Sequence, residues 1–246
     1  MSQLVLLRHG QSTWNRHKRF TGWTDVPLTA EGEQQASKAG RMLRDISFKP
    51  DVCFSSRLCR ATDSLGLTLR ELDAHSVVNH ADWRLNERHY GKLQGMTPTQ
   101  AFGEFGVRNV LSWQREFTAR PPLLEPGDDR HPAADNRYAD VPSADLPVGE
   151  SIQDTLTRVL PLWEEELAPR LGRGQDILIV SHANTLRALI SYLEDLPPAR
   201  LPSVLVPIAR PLLYEHDGLK IRGRRRAVHT SKVHTAYRWL RGGKSR

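Results

Sequence analysis

Leu4-Val5-Leu6-Leu7-Arg8-His9-Gly10 opens the chain with four consecutive apolar residues that run directly into a cation and an imidazole. A short, unbroken apolar run of this kind suits a strand covered on both faces, as in a parallel sheet, rather than one that alternates towards solvent. The pattern recurs at Ile177-Leu178-Ile179-Val180, which is followed by Ser181-His182. Two buried strands each ending in histidine place both imidazoles at the carboxyl edge of a sheet, where open α/β folds bind ligands. Gly10 is read as the residue that lets the chain leave the strand and use Arg8 and His9 on the same side.

Between these strands the signals alternate. Thr29 is a good N-cap, Glu31 and Glu33 suit a first helical turn, and Ala36, Ala39, Met42 and Leu43 recur at helical spacing, which predicts a helix over 30–44. A strand is expected over 51–55, a helix over 58–72, and a short strand over 76–78. A helix over 151–167 must kink or split at Pro161, a helix over 184–193 follows His182, and 212–216 reads as the last strand. The expected class is α/β, a mostly parallel central sheet with helices on both faces in three layers. Six prolines interrupt 118–148, too long a stretch for an ordinary connection, and it is read as an active-site cover.

Charge is unevenly spread. The net charge is +7, yet no acid follows Asp217 whereas ten Lys and Arg do, leaving 25 of the 35 cations for the preceding residues against all 28 acids. The body is therefore slightly acidic, with 1–217 as the catalytic domain and 218–246 as a basic tail expected to be wholly or partly mobile. Nonspecific contact of that tail with nucleic acid is the extent of any nucleic-acid role, and Tyr237-Arg238-Trp239-Leu240-Arg241 is the part suited to docking. No apolar run reaches the length of a membrane span, no basic leader precedes Leu4, and Cys53 and Cys59 read as reduced thiols, so a cytoplasmic protein is expected. Neither a P-loop nor a dinucleotide fingerprint occurs.

The motifs are more specific than the pattern. Arg8-His9-Gly10 with Ser12 and Asn15, then Arg19-Phe20-Thr21-Gly22-Trp23, Leu85-Asn86-Glu87-Arg88-His89-Tyr90-Gly91 and Leu93-Gln94-Gly95 resemble the cofactor-dependent phosphoglycerate mutases of the histidine phosphatase superfamily, from about residue 3 to 217. That resemblance implies a phosphohistidine on His9, with Arg8, Arg60 and His182 on the phosphoryl oxygens and Glu87 as general acid and base. It implies 2,3-bisphosphoglycerate as primer, no metal, a small phosphorylated metabolite as substrate, and a homodimer. Ser12, Asn15, Thr21, Gly22, Arg88, Tyr90, Arg115 and Asn184 match positions that line the family's phosphate and glycerate pocket. The chemistry agrees with the residue types: a neutral imidazole can attack phosphorus, and guanidinium forks match phosphate oxygens.

The sequence also departs from the mutase pattern. Pro98 and Gln114 stand where cations are usual, Ala183 stands for a glycine beside His182, and Arg210 is a candidate to restore one charge. Interconversion of 3- and 2-phosphoglycerate is ranked first. Hydrolysis of a small phosphorylated metabolite through the same phosphohistidine is second, and a catalytically weak paralogue with a polyanion-binding tail third.

Overall fold

The computed structural model describes residues 1–228. Its strands are β1 (Ser2–Arg8), β2 (Val52–Ser55), β3 (Asn79–Ala81), β4 (Ile177–Ser181), β5 (Leu212–His216) and β6 (Ile221–Ala227), in the spatial order β3-β2-β4-β1-β5-β6. The β1–β4, β4–β2 and β2–β3 pairs are parallel, and β5 runs antiparallel to both β1 and β6. The mostly parallel α/β class is thus as expected.

The apolar runs are continuous because both sheet faces are covered. Leu4, Leu6, Ile177 and Ile179 point into one core with Val159 and Leu162 of α6 (Ile152–Leu162) and Leu186, Leu189 and Ile190 of α8 (Ala183–Leu193). Their neighbours Val5, Leu7, Leu178 and Val180 point the other way, onto Met42 and Leu43 of α2 (Ala30–Asp45) and Leu65 and Leu69 of α3 (Cys59–Glu71). Alternate residues of one strand therefore serve opposite cores. Thr29 caps α2 by accepting the Gly32 N–H at 3.0 Å. Cys53 is buried in the second core, and both cysteines are free.

Several boundaries differ from the sequence reading. The short strand is Asn79–Ala81 rather than 76–78; it is an exposed edge strand of polar character, held by register with Cys53, Phe54 and Ser55. The helix after Ser151 runs through Pro161 and then widens into a π-helical turn, Trp163–Leu167, before α7 (Ala168–Gly172). A missing N–H at Pro161 and the π turn beside it are one local adjustment of the hydrogen-bond ladder. Three further helices carried no sequence expectation: α1 (Thr13–Arg16), α4 (Pro98–Phe105) and α5 (Val107–Arg115). For α4 the signal was present, a Thr97–Gln100 capping box with Pro98 at the first helical position.

Within the basic tail, residues 221–227 form β6 and pair with β5, so the boundary drawn at 217 falls inside a β-hairpin. Its cations find acids outside the segment: Arg222 pairs with Asp217 at 2.9 Å, Arg225 with Glu194 at 2.7 Å, and Arg226 with Glu215. The Tyr237-Arg238-Trp239-Leu240-Arg241 stretch lies outside the described residues. Among the described residues no helix is long and apolar enough to cross a membrane.

Candidate active site

The parallel strands deliver His9 and His182 side by side at their carboxyl ends, with ring centroids 4.9 Å apart. His9 is 3% exposed and His182 is fully buried. The His9 Nδ1 lies 2.6 Å from the Gly10 carbonyl oxygen. A carbonyl can only accept, so Nδ1 carries the proton and Nε2 keeps its lone pair. Burial, then the positive charges of Arg60 and Arg8, hold the His9 pKa well below the usual histidine range. The imidazole is therefore neutral at physiological pH, the state a nucleophilic nitrogen needs.

His182 is fixed by Ser56, whose hydroxyl lies 2.7 Å from Nε2 and also accepts the Leu58 N–H at 3.3 Å. Its Nδ1 is buried without a protein partner. Burial and the charge of Arg60 lower its pKa as well. Ser56 was not assigned a role by sequence reading; its place directly after β2 was the available signal.

Gly10 is needed for a reason other than the one expected. Its φ is not in the left-handed region, but a Cβ there would stand 2.1 Å from the Gly32 carbonyl oxygen, so the backbone of α2 packs against the strand exit. Gly22 is constrained both ways: its φ is +54°, and a Cβ would meet the Gln94 side chain at 2.1 Å. Its carbonyl accepts from Arg60 Nη2 at 2.7 Å, and Thr24 O accepts from Arg60 Nη1 at 2.9 Å. These bonds orient a guanidinium that is only 1% exposed, whose pKa is lowered by burial against the opposing pull of Glu87. Arg8 is half-buried, with Nη1 on the Val206 carbonyl at 3.2 Å and Nε without a partner.

Glu87 is 8% exposed. Its Oε1 accepts the Arg88 N–H at 2.8 Å and, at 3.2 Å, the Asn184 N–H in the first turn of α8. Trp23 Nε1 donates to the Glu87 carbonyl at 2.6 Å. Behind this loop Arg158 bonds to the carbonyls of Arg84 (2.7 Å), Asn86 and Glu87 while pairing with Glu150 at 2.7 Å, and Glu150 in turn accepts the His89 N–H at 2.7 Å. The carboxylate thus has a backbone anchored on both sides.

Arg8, His9, Arg60 and Glu87 line one cavity of about 170 Å³ together with Asn15, Thr21, Tyr90 and Asn184. Asn184 Nδ2 donates to the Tyr90 hydroxyl at 2.8 Å, joining two of the expected residues across the wall. Others on the expected list do not reach it. Ser12 is fully buried and caps α1 through the Asn15 N–H. Gly22 acts through its carbonyl on Arg60. Arg88 is buried beneath the wall, bonding to the Trp113 carbonyl at 2.7 Å and lying over the Tyr90 ring. Arg115 is exposed in the last turn of α5 and is not on the cavity wall.

Pro98 and Ala183 do line the cavity, whereas Arg210 lines a separate concavity with Glu194 and Arg225. Two cations that sequence reading did not assign to the site, Lys18 and Arg19, are on the wall. The 118–148 segment, read from the sequence as an active-site cover, contributes no residue to this cavity wall. It folds as short 3-10 turns against Trp23, Asn86 and Arg57, with the Tyr138 hydroxyl accepting from Asn86 Nδ2 at 2.8 Å. Among the described residues no group of three or more His, Cys, Asp or Glu is arranged to hold a metal ion.

The model of the histidine phosphatase superfamily, branch 1, matches residues 4–224. The chain belongs to that superfamily. Solved structures of similar shape include a mycobacterial glucosyl-3-phosphoglycerate phosphatase described in complex with VO3, 27% identical, covering 94% of this chain and all of the other, with a TM-score of 0.69. A mycobacterial hydrolase is 25% identical over 92% of this chain and 97% of its own, with a TM-score of 0.69. Bacillus stearothermophilus YhfR, at 22% identity over 90% and 95% of the two chains and a TM-score of 0.69, shares the fold. This histidine phosphatase superfamily member therefore has the family's enzyme scaffold with His9, two arginines and one carboxyl lining a single cavity, while His182 is buried behind the wall against His9. The finer likeness to phosphoglycerate mutases read from the motifs is not what these neighbours are called.

Proposed function

We propose that the chain hydrolyses small phosphomonoesters through a phosphohistidine on His9. The observation that carries this reading is the composition of the cavity wall: Pro98 occupies it and Arg115 stands outside it, so α4 and α5 bring no cation to the described wall, and Lys18 and Arg19 at its mouth are exposed and enclose nothing. Without an enclosing clamp a bisphosphorylated intermediate escapes, and water is left as the acceptor. The phosphatase and hydrolase among the similar structures support the same choice. A wall enclosing about 170 Å³, below the roughly 300 Å³ at which drug-sized pockets begin, suits a small substrate.

In the first step His9 Nε2 attacks phosphorus in line, the P–O bond to the leaving group breaks, and Glu87 gives its proton to the departing oxygen. Nδ1–H donation to Gly10 steadies the imidazole as it becomes cationic. Arg8, Arg60 and His182 stabilise the equatorial oxygens, which is where fixed positive groups lower the barrier. In the second step water attacks the phosphohistidine, Glu87 takes its proton, and the P–N bond breaks to release phosphate.

Phosphoglycerate interconversion primed by 2,3-bisphosphoglycerate remains the second reading. It uses the same phosphohistidine with a hydroxyl as acceptor, and the rim cations Lys18 and Arg19 favour it. The deciding experiment supplies 3-phosphoglycerate with a trace of bisphosphoglycerate and measures phosphate released against 2-phosphoglycerate formed. Phosphate release in excess, abolished with acid-labile labelling in His9→Ala, is expected; 2-phosphoglycerate in excess overturns hydrolysis in favour of the mutase.

A further inference from the structure

The cavity has two levels of positive charge. At its floor are Arg8 and Arg60 beside His9; at its rim are Lys18 and Arg19, both exposed. The turn that ends α1 brings the rim pair there. After α1 the Lys18 N–H donates to the Asn15 carbonyl at 3.1 Å and the Arg19 N–H to the Trp14 carbonyl at 2.9 Å. Lys18 itself is left-handed, with φ of +53°. This is the helix-terminating position where glycine is the usual occupant, because a Cβ is disfavoured there.

The immediate surroundings leave Lys18 for a ligand. No described carboxylate lies within ion-pair distance of its ammonium, whereas Arg19 is steadied by donation from Nη1 to the Gly95 carbonyl. Glu87 is the sole carboxylate on the described cavity wall. Pro98 is the one residue of α4 and α5 on the described wall and is uncharged, so the cations of the mouth belong to the α1 exit.

We propose that Lys18 and Arg19 form a second anion subsite, which selects phosphomonoesters carrying another oxyanion, a carboxylate or a further phosphate, a few bonds from the phosphate at His9. This rests on the phosphomonoester reading above. Because both cations are exposed they select without sequestering, which is compatible with hydrolysis, and their attraction is screened by salt.

The test is equilibrium binding to the full chain carrying His9→Ala, which removes turnover. Three probes are compared: inorganic phosphate, glycerol 3-phosphate, and 3-phosphoglycerate, the last two sharing a three-carbon frame and differing in the carboxylate. The carboxylate is expected to tighten binding about tenfold at low salt, the lower end for a charge-assisted contact. Lys18→Gln with Arg19→Gln should reduce that ratio to about twofold or less, and Lys18→Glu should bring it to about one or invert it by like-charge repulsion. Lys18→Gln alone, which spares the Gly95 contact, should lower the ratio by about threefold and guards against a folding defect in the double variant. A ratio near one in the His9→Ala parent, or a ratio unchanged by the rim substitutions while inorganic phosphate still binds, overturns the subsite and leaves the hydrolase reading intact. Failure of the parent to bind inorganic phosphate takes down both.

Discussion

Replacing Arg158 with alanine should uncouple the Glu87 loop from the rest of the fold. The Arg158 and Glu150 side chains are 6% and 4% exposed and pair at 2.7 Å. Removing the guanidinium leaves Glu150 with the His89 N–H at 2.7 Å as a remaining partner and takes a donor from the carbonyls of Arg84, Asn86 and Glu87. Breaking a buried pair by deleting one partner costs about 3 to 5 kcal/mol, since a charge is left without compensation. In a protein of this size each kcal/mol is roughly 2 to 4 °C in Tm, so a fall of about 6 to 20 °C is expected. Urea unfolding followed by tryptophan fluorescence measures it, and Trp23, whose ring lies 5.5 Å from the Arg158 guanidinium, reports the local change. Turnover should fall on the order of tenfold to a hundredfold as the Glu87 carboxyl loses its position. The double change Arg158→Met with Glu150→Gln should be less destabilising than Arg158→Ala, because it removes both buried charges. A stability loss below about 1 kcal/mol for Arg158→Ala, with turnover unchanged, would refute the claim that this pair supports the site.

Ser56→Ala removes the hydroxyl 2.7 Å from His182 Nε2. A loss in kcat of about tenfold, equivalent to one hydrogen bond of about 1.4 kcal/mol, is expected with Tm changed little and with rescue by Ser56→Thr; an unaltered kcat would remove Ser56 from the site. Stability should decline on acidification, because His9 and His182 are held neutral well below the usual range and burial lowers His89 to about 3. The unfolded chain takes up protons near pH 6.5 that the folded chain refuses, so stability is full above that pH. It then falls by up to about 1.4 kcal/mol per pH unit for each such histidine. Urea midpoints at pH 7.5 and 5.5 measure this, and equal midpoints would contradict it. Chelation with EDTA should leave turnover within about twofold, since the proposed charge stabilisation comes from Arg8, Arg60 and His182; loss restored by Mg²⁺ or Mn²⁺ would point to a different mechanism.

The sequence by itself determined the frame of this protein. Leu4-Val5-Leu6-Leu7 and Ile177-Leu178-Ile179-Val180 announce buried strands because every residue in them is needed by one of two cores, and burial on both faces leaves a local trace. Thr29 and the spacing of Ala36, Ala39 and Leu43 announce α2 in the same way, and the strand-end positions of His9 and His182 were legible because the carboxyl ends of parallel strands are where such sheets bind ligands. What tertiary structure alone decided has no such trace. β3 is polar and β6 is basic; each exists because a neighbouring strand supplies backbone partners and, for β6, because Asp217, Glu194 and Glu215 neutralise Arg222, Arg225 and Arg226. The fate of individual cations was equally hidden: Arg88 goes under the cavity wall, Arg115 outside it, and Lys18 and Arg19 onto its rim. Periodicity records which face of an element is buried, but the direction a loop side chain takes depends on packing between segments distant in sequence, and that is settled only when the layers close.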